Sequence, residues 1–269
     1  MENKIWCIAD LHGCYREMMA LMKKLEKAGL DYEKDKVIFM GDYIDRGSDS
    51  RKVVNQLIKW HSQYKNFIFL YGNHEDIFRD WINGAPRYGP YNWFYNGGKT
   101  TYVNYNGHFG KFHKDNLGRT TEWIPPRNGS FPKKHLDFLF KETVYLHEEE
   151  DYVFVHAGLV PQTKTVAENL NFPDTLIWAR EGFIESDWKW SKKVIFGHTA
   201  DYSGKYYNSK NSWGKNQKFM PIVMDNKIGI DCACCPPANQ RLCALELPAE
   251  KFYFQESFYL FDLLAKDYE

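Results

Sequence analysis

The chain reads as an α/β fold with parallel strands, and three observations carry that reading. Across roughly the first 75 residues, short apolar β-rich runs alternate with stretches of helical period, the pattern of strand–helix–strand units. Five times along the chain an apolar run ends in a small residue beside an acid/base or metal-competent side chain. Between the third run and the later ones lies a long stretch of different composition, which predicts an insertion and not a linker.

The elements follow in order. Residues 4–9 (KIWCIA) predict the first strand, and Met18, Met19, Leu21, Met22 and Leu25 fall on one stripe of the helix after it. Gly29 closes that helix. Residues 36–40 (KVIFM) predict a second strand, Val53, Val54, Leu57 and Ile58 a second helix, and residues 66–71 a third strand. Helices are expected at 75–82 and 133–140. Later strands are expected at 152–155, 194–196, 222–224, 227–230, 242–247 and 252–254.

Residues 84–132 break the pattern. They are rich in Gly, Pro, Asn and aromatic residues and read as an irregular cap. Over 84–134 eight basic residues (Arg87, Lys99, Lys111, Lys114, Arg119, Arg127, Lys133, Lys134) face two acids, Asp115 and Glu122. That excess favours an anionic ligand over an ordinary solvated loop. A second irregular stretch, 203–219, carries Lys205, Lys210, Lys215 and Lys218.

Composition narrows the class. The 269 residues hold 35 Lys+Arg and 35 Asp+Glu, so no global charge draws the chain to nucleic acid or an anionic membrane. A hydrophobic share of 43% excludes a disordered chain. No apolar run reaches the ~20 residues of a membrane span. The opening MENKIWCIAD does not resemble a signal peptide, and six cysteines then read as reduced thiols of a cytoplasmic protein. We expect one domain over 1–269, with 84–132 as its cap.

The five chemical blocks are Ala9-Asp10-Leu11-His12-Gly13, Gly41-Asp42-Tyr43-Ile44-Asp45-Arg46-Gly47, Gly72-Asn73-His74-Glu75, His156-Ala157-Gly158 and Gly197-His198-Thr199. Residues just past the ends of parallel strands converge in space however far apart they lie in sequence. Here that brings together Asp10, His12, Asp42, Asn73, His156 and His198. Each alone could cap a helix or bridge a turn; five blocks in order read as a metal centre. An oxygen–nitrogen donor set without thiolate suits manganese, iron or zinc. Six donors are too many for one catalytic ion but fit two ions sharing a carboxylate. Such a pair generates hydroxide near neutral pH and clamps a phosphoryl group for in-line displacement. Arg46 matches phosphate oxygens with its forked guanidinium.

The blocks, in order and wording, resemble those of the phosphoprotein phosphatase family of calcineurin-like metallophosphoesterases. The stretch 93–105 (WFYNGGKTTYVNY) is similar to the bacterial and phage branch, which includes lambda phosphatase and diadenosine tetraphosphate hydrolase. The resemblance implies two stacked mixed sheets flanked by helices, an α/β (α+β) fold. It implies one ion on Asp10, His12 and a bridging Asp42, and a second on Asp42, Asn73, His156 and His198. Manganese is the first choice of metal. His74 would be the general acid, oriented by Asp45, with Arg46 and Arg180 on the phosphate. The expected activity is a serine/threonine protein phosphatase acting on phosphorylated protein or peptide. A diadenosine tetraphosphate-type nucleotide hydrolase is the alternative, and a nucleic-acid end phosphoesterase is less favoured.

Three departures stand out: Ala9 for Gly, Ala200 for Pro after Thr199, and Cys-Ala-Cys-Cys-Pro-Pro at 232–237 for a Thr-Gly-Ala-rich turn. A zinc site among Cys232, Cys234, Cys235 and Cys243 is outweighed by buried thiols, because C-x-C-C is not a zinc spacing. His61, His108, His113, His135 and His147 read as packing or surface residues.

Overall fold

The computed structural model describes residues 4–84, 87–107, 129–206, 217–235, 238 and 240–258, and the backbone of 111–114 and 120–124. The early runs and stripes become β1 (Ile5–Ile8), α1 (Tyr15–Lys27), β2 (Lys36–Phe39), α2 (Ser50–Gln63), β3 (Phe67–Phe69) and α3 (Asn73–Ile82). Then come α4 (Lys99–Asn106), the hairpin β4 (Lys111–Lys114) and β5 (Thr120–Ile124), and α5 (Lys133–Asp137). The rest is β6 (Leu146–Glu148), β7 (Tyr152–Val155), α6 (Pro173–Trp178), α7 (Glu181–Ile184), β8 (Lys193–Phe196), β9 (Ile222–Val223), β10 (Lys227–Gly229), β11 (Arg241–Leu247) and β12 (Lys251–Glu256).

Two five-stranded mixed sheets result, ordered β12-β11-β1-β2-β3 and β6-β7-β8-β10-β9. In the first, β1, β2 and β3 are parallel and in register, Ile8 beside Phe39 and Phe39 beside Phe69. In the second, β7, β8 and β10 are parallel. Side-chain alternation shows how the sheets stack. Phe154, Ile195 and Ile228 join the core formed with Ile8 and Phe39. Their neighbours Val153, Val155, Val194 and Phe196 pack with Leu176, Ile177 and Phe183 of α6 and α7. Strands buried on both faces need continuous apolar runs, and that made them legible. Met18, Leu21, Met22 and Leu25 of α1 are buried in the first core.

The stretch 84–132, expected to be irregular, departs from that expectation. Residues 84–132 are not irregular throughout: they hold α4, a wide helical turn over Phe94–Gly98 and the β4–β5 hairpin. Trp93, Phe94 and Tyr102 pack on Trp81 and Phe131, so aromatic burial orders a segment without an amphipathic stripe. The stretch 203–219 falls largely outside the described residues. Among those described, no helix is long and apolar enough to cross a membrane.

Candidate active site

Asp10, His12, Asp42, Asp45, Arg46, Asn73, His74, His156 and His198 all lie just beyond the carboxyl ends of β1, β2, β3, β7 and β8. Both sheets therefore contribute. The turns are sharp: His12 (φ 41°), Asp42 (φ 51°), Asp45 (φ 75°), Arg46 (φ 65°) and His198 (φ 63°) sit in the left-handed region. Such backbone costs about 1–2 kcal/mol per residue and persists only where surroundings hold it. Two glycines make room. A Cβ on Gly72 would lie 2.2 Å from Asp42 Oδ1, and one on Gly197 2.2 Å from Asp10 Oδ1.

Donor atoms of His12, Asp42 and His74 lie within 4.8 Å of one another, and so do those of Asp42, His156 and His198. Asp42 belongs to both groups. Its Oδ2 is 3.4 Å from His12 Nε2 and its Oδ1 is 3.4 Å from His156 Nε2. Backbone carbonyls fix the rings from behind: His12 Nδ1–H donates to Ile44 O (3.0 Å) and His156 Nδ1–H to Met40 O (2.7 Å). Each Nε2 then presents a lone pair, the arrangement that orients a metal-binding imidazole. Asn73 Oδ1 faces His156 Nε2 at 3.0 Å, so two acceptors meet. Among the described residues, His198 Nε2 is buried without a hydrogen-bond partner. Facing acceptors and an orphaned imidazole nitrogen fit a divalent cation. Asp10 sits to one side, its two oxygens taking the His198 N–H at 3.2 and 3.0 Å.

Electrostatics support the same picture. Burial holds the imidazoles of His12, His156 and His198 below their ordinary pKa, reinforced at His12 by Arg46 and at His198 by His156 and Arg180. Burial alone would raise Asp42, but His156, His74, His12 and His198 hold it below the carboxylate range. Asp10 goes the other way, pushed up by burial and then by Asp231 and Asp42.

A second constellation adjoins the first. His74 Nδ1–H donates to Asp45 Oδ2 at 2.8 Å. Arg46 directs Nη1 at His12 Nε2 (3.0 Å) and Nη2 at His74 Nε2 (3.1 Å). Arg180 is exposed at the start of α7, near enough for its charge to act on His198. An open cavity of about 530 Å³ is lined by Arg87, Tyr88, Asn92, Asn96, Asp174 and Trp178. The Trp178 ring stands edge-on to His198 with centroids 6.1 Å apart.

Sequence reasoning missed several contributors. Glu75 is wholly buried. It accepts the Asp42, Tyr43 and Gly72 N–H groups at 3.0, 2.9 and 3.2 Å, fixing the turn that carries Asp42. Its place as third residue of α3 was the available signal, an acid reaching back to the helix start. Asp231 follows β10 and is pushed up by burial and by Asp42. It repeats the run-then-Asp signature. Trp93 and Thr101, both bonded to Asp45, left no such trace.

The six thiols are free and buried, and no metal-competent trio among the described residues includes one. His135 is buried between Tyr105 and Asn55, while His61 and His147 pair with Glu142 and Glu149. The side chains of His108 and His113 lie outside the described residues.

The signature of the calcineurin-like phosphoesterases matches residues 3–230. Serine/threonine-protein phosphatase 2 of Salmonella typhimurium is 24% identical over 220 residues, 77% of this chain and 85% of that protein. The symmetrical bis(5'-nucleosyl)-tetraphosphatase of Buchnera aphidicola is 38% identical over 71 residues, 26% of this chain. The match spans only about a quarter (24%) of that relative's length. A solved structure provisionally named as a diadenosine tetraphosphatase superposes with a TM-score of 0.62 at 14% identity, covering 96% of this chain and 95% of its own. At that identity the likeness is one of fold.

Proposed function

The chain belongs to the calcineurin-like phosphoesterase family, and on that premise we propose that it is a metal-dependent phosphatase of the serine/threonine phosphoprotein kind. The observation that carries the reading is Asp42, one carboxylate common to two groups of imidazole donors. We assign Asp10, His12 and Asp42 to one ion and Asp42, Asn73, His156 and His198 to the other, with manganese preferred and iron or zinc as alternatives. When bound, paired ions supply a nucleophilic oxygen near neutral pH and neutralise phosphoryl charge.

The chain's own groups do the rest. Asp42 brings the negative charge that both ions need. Arg46 offers two N–H groups beside His12 and His74, where a phosphate oxygen can take them. Arg180 adds a second guanidinium from the α7 side. With Arg46 turned from His74 Nε2 to the phosphate and the ring carrying both protons, His74 gives its Nε2 proton to the leaving oxygen as the P–O bond breaks and is left neutral, held throughout by Asp45 at Nδ1–H. We also propose one domain over 1–269, capped by 84–132, and a cytoplasmic location in keeping with free buried thiols.

The match to the Salmonella phosphatase, over 77% of this chain and 85% of that protein, supports a phosphoprotein or phosphopeptide substrate. The groove of Tyr88, Trp178, Asn92 and Asn96 favours a second reading, a nucleotide hydrolase, since aromatic faces and carboxamides suit a base. A phosphoserine peptide, diadenosine tetraphosphate and a terminally phosphorylated oligonucleotide, offered to manganese-loaded protein, separate the cases. The peptide should lead in kcat/KM by at least about tenfold, a gap of 1.4 kcal/mol in barrier. Preference for the dinucleotide would replace the reading with its alternative.

A further inference from the structure

Trp93 precedes the wide turn over Phe94–Gly98, Gly97 kinks it (φ 103°) and Thr101 lies in α4, and across that kink one polar group of each comes to a common face. That face lies on Asp45 and Arg46. The Trp93 indole N–H reaches Asp45 Oδ1 and Oδ2 at 3.0 and 3.1 Å. The Thr101 hydroxyl donates to Oδ1 at 2.7 Å and receives the Asp45 N–H at 2.8 Å. The Gly97 carbonyl accepts the Arg46 N–H at 3.1 Å. A Cβ on Gly97 would lie 2.6 Å from Arg46 Cγ, so the approach is as close as a glycine permits.

These contacts answer a local need. Asp45 and Arg46 are consecutive non-glycine residues with φ of 75° and 65°, a conformation that relaxes unless external bonds over-determine it. Asp45, Trp93 and Thr101 are all buried. Oδ1 is taken by Trp93 and Thr101, which leaves Oδ2 turned to the His74 Nδ1–H. The carboxylate has no rotation left that keeps all of these bonds.

We propose that Trp93 and Thr101 are positioning residues for proton delivery: they lock the Asp45 carboxylate so that His74 presents Nε2 to the leaving group. The inference rests on the reading of His74 as the acid. It assigns the cap a chemical duty besides any contact with substrate.

The test uses full-length, zinc-loaded protein, with Thr101→Val, Thr101→Ser and Trp93→Phe beside a His74→Asn control. The first readout is the slowly exchanging His74 Nδ1–H proton in NMR, identified by its loss in His74→Asn. The second is the rate on an alkyl phosphate, which needs a proton at its leaving oxygen, against that on p-nitrophenyl phosphate, which needs none. We expect the resonance in wild type and Thr101→Ser and its loss in Thr101→Val and Trp93→Phe. The latter pair should lose at least roughly tenfold on the alkyl ester, within the range for general acids, and little on the aryl ester. An unchanged resonance in Thr101→Val and Trp93→Phe overturns the proposal whatever the rates. If the resonance is lost but His74→Asn shows no preference between esters, the positioning stands and the acid assignment falls.

Discussion

Asp42 lies between two groups of imidazole donors, and the charge of its carboxylate is what two cations could share. The amide in Asp42→Asn keeps the shape and removes that charge. The variant should bind fewer than two ions per chain by elemental analysis and lose more than roughly 100-fold in kcat/KM. That factor is the scale for disturbing a group one step further from an ion. Two bound ions in the variant would refute the shared-ligand assignment. At this scale the convergence of Asp42, His156 and His198 was legible, since Asp42 and His198 each follow a glycine at the end of an apolar run and His156 ends one two residues before Gly158. It was silent on Asp45's supports, because the bonds from Trp93 and Thr101 span 48 and 56 residues and leave no local pattern.

Helices α2, α4 and α5 meet at one imidazole. His135 Nδ1 accepts the Tyr105 O–H at 2.8 Å, and its Nε2–H donates to Asn55 Oδ1 at 3.0 Å. The bond accepted at Nδ1 needs the neutral ring. Burial, then Lys134 and Arg51, lower its pKa to about 4. The unfolded ring takes up a proton near 6.5. Between these values the unfolded chain binds more protons, so stability falls as pH drops from about 6.5 toward 4, by up to about 3 kcal/mol from this group. His135→Gln should flatten that part of a plot of urea midpoint against pH. An unaltered slope would assign the acid sensitivity to other groups. The same helices mark where element reading failed: α4 carries Thr, Asn and Tyr after two glycines, so nothing periodic announces it. By contrast β1, β2 and β7 were plain, because strands covered on both faces admit little but apolar residues. Short pieces such as β6 and α7 owe their shape to neighbours, not to their own composition.

The two sheets are tied at the site as well as through the core. The His198 N–H reaches Asp10, and the His156 ring reaches Met40 O, both across the gap between sheets. Ions held by Asp10, His12 and Asp42 on one side and His156 and His198 on the other would brace the halves. Since a ligand of the folded state alone stabilises by about 2.7 kcal/mol at 100 times its Kd, chelation should lower Tm by roughly 5–8 °C in a chain of this size. Returning manganese should restore it. Asp42→Asn should show a much smaller response, and an equal response in both proteins would place the stabilising ion elsewhere.

The face shared by Trp93, Gly97 and Thr101 sets a rule for anyone grafting a foreign specificity segment onto this scaffold. Because one ribbon both lines the groove through Asn92 and Asn96 and steadies the acid pair, a transplant chosen for selectivity alone arrives with its proton donor adrift. A successful graft must import an indole, a bare carbonyl and a hydroxyl at the same spacing, or accept only substrates whose departing group leaves unaided.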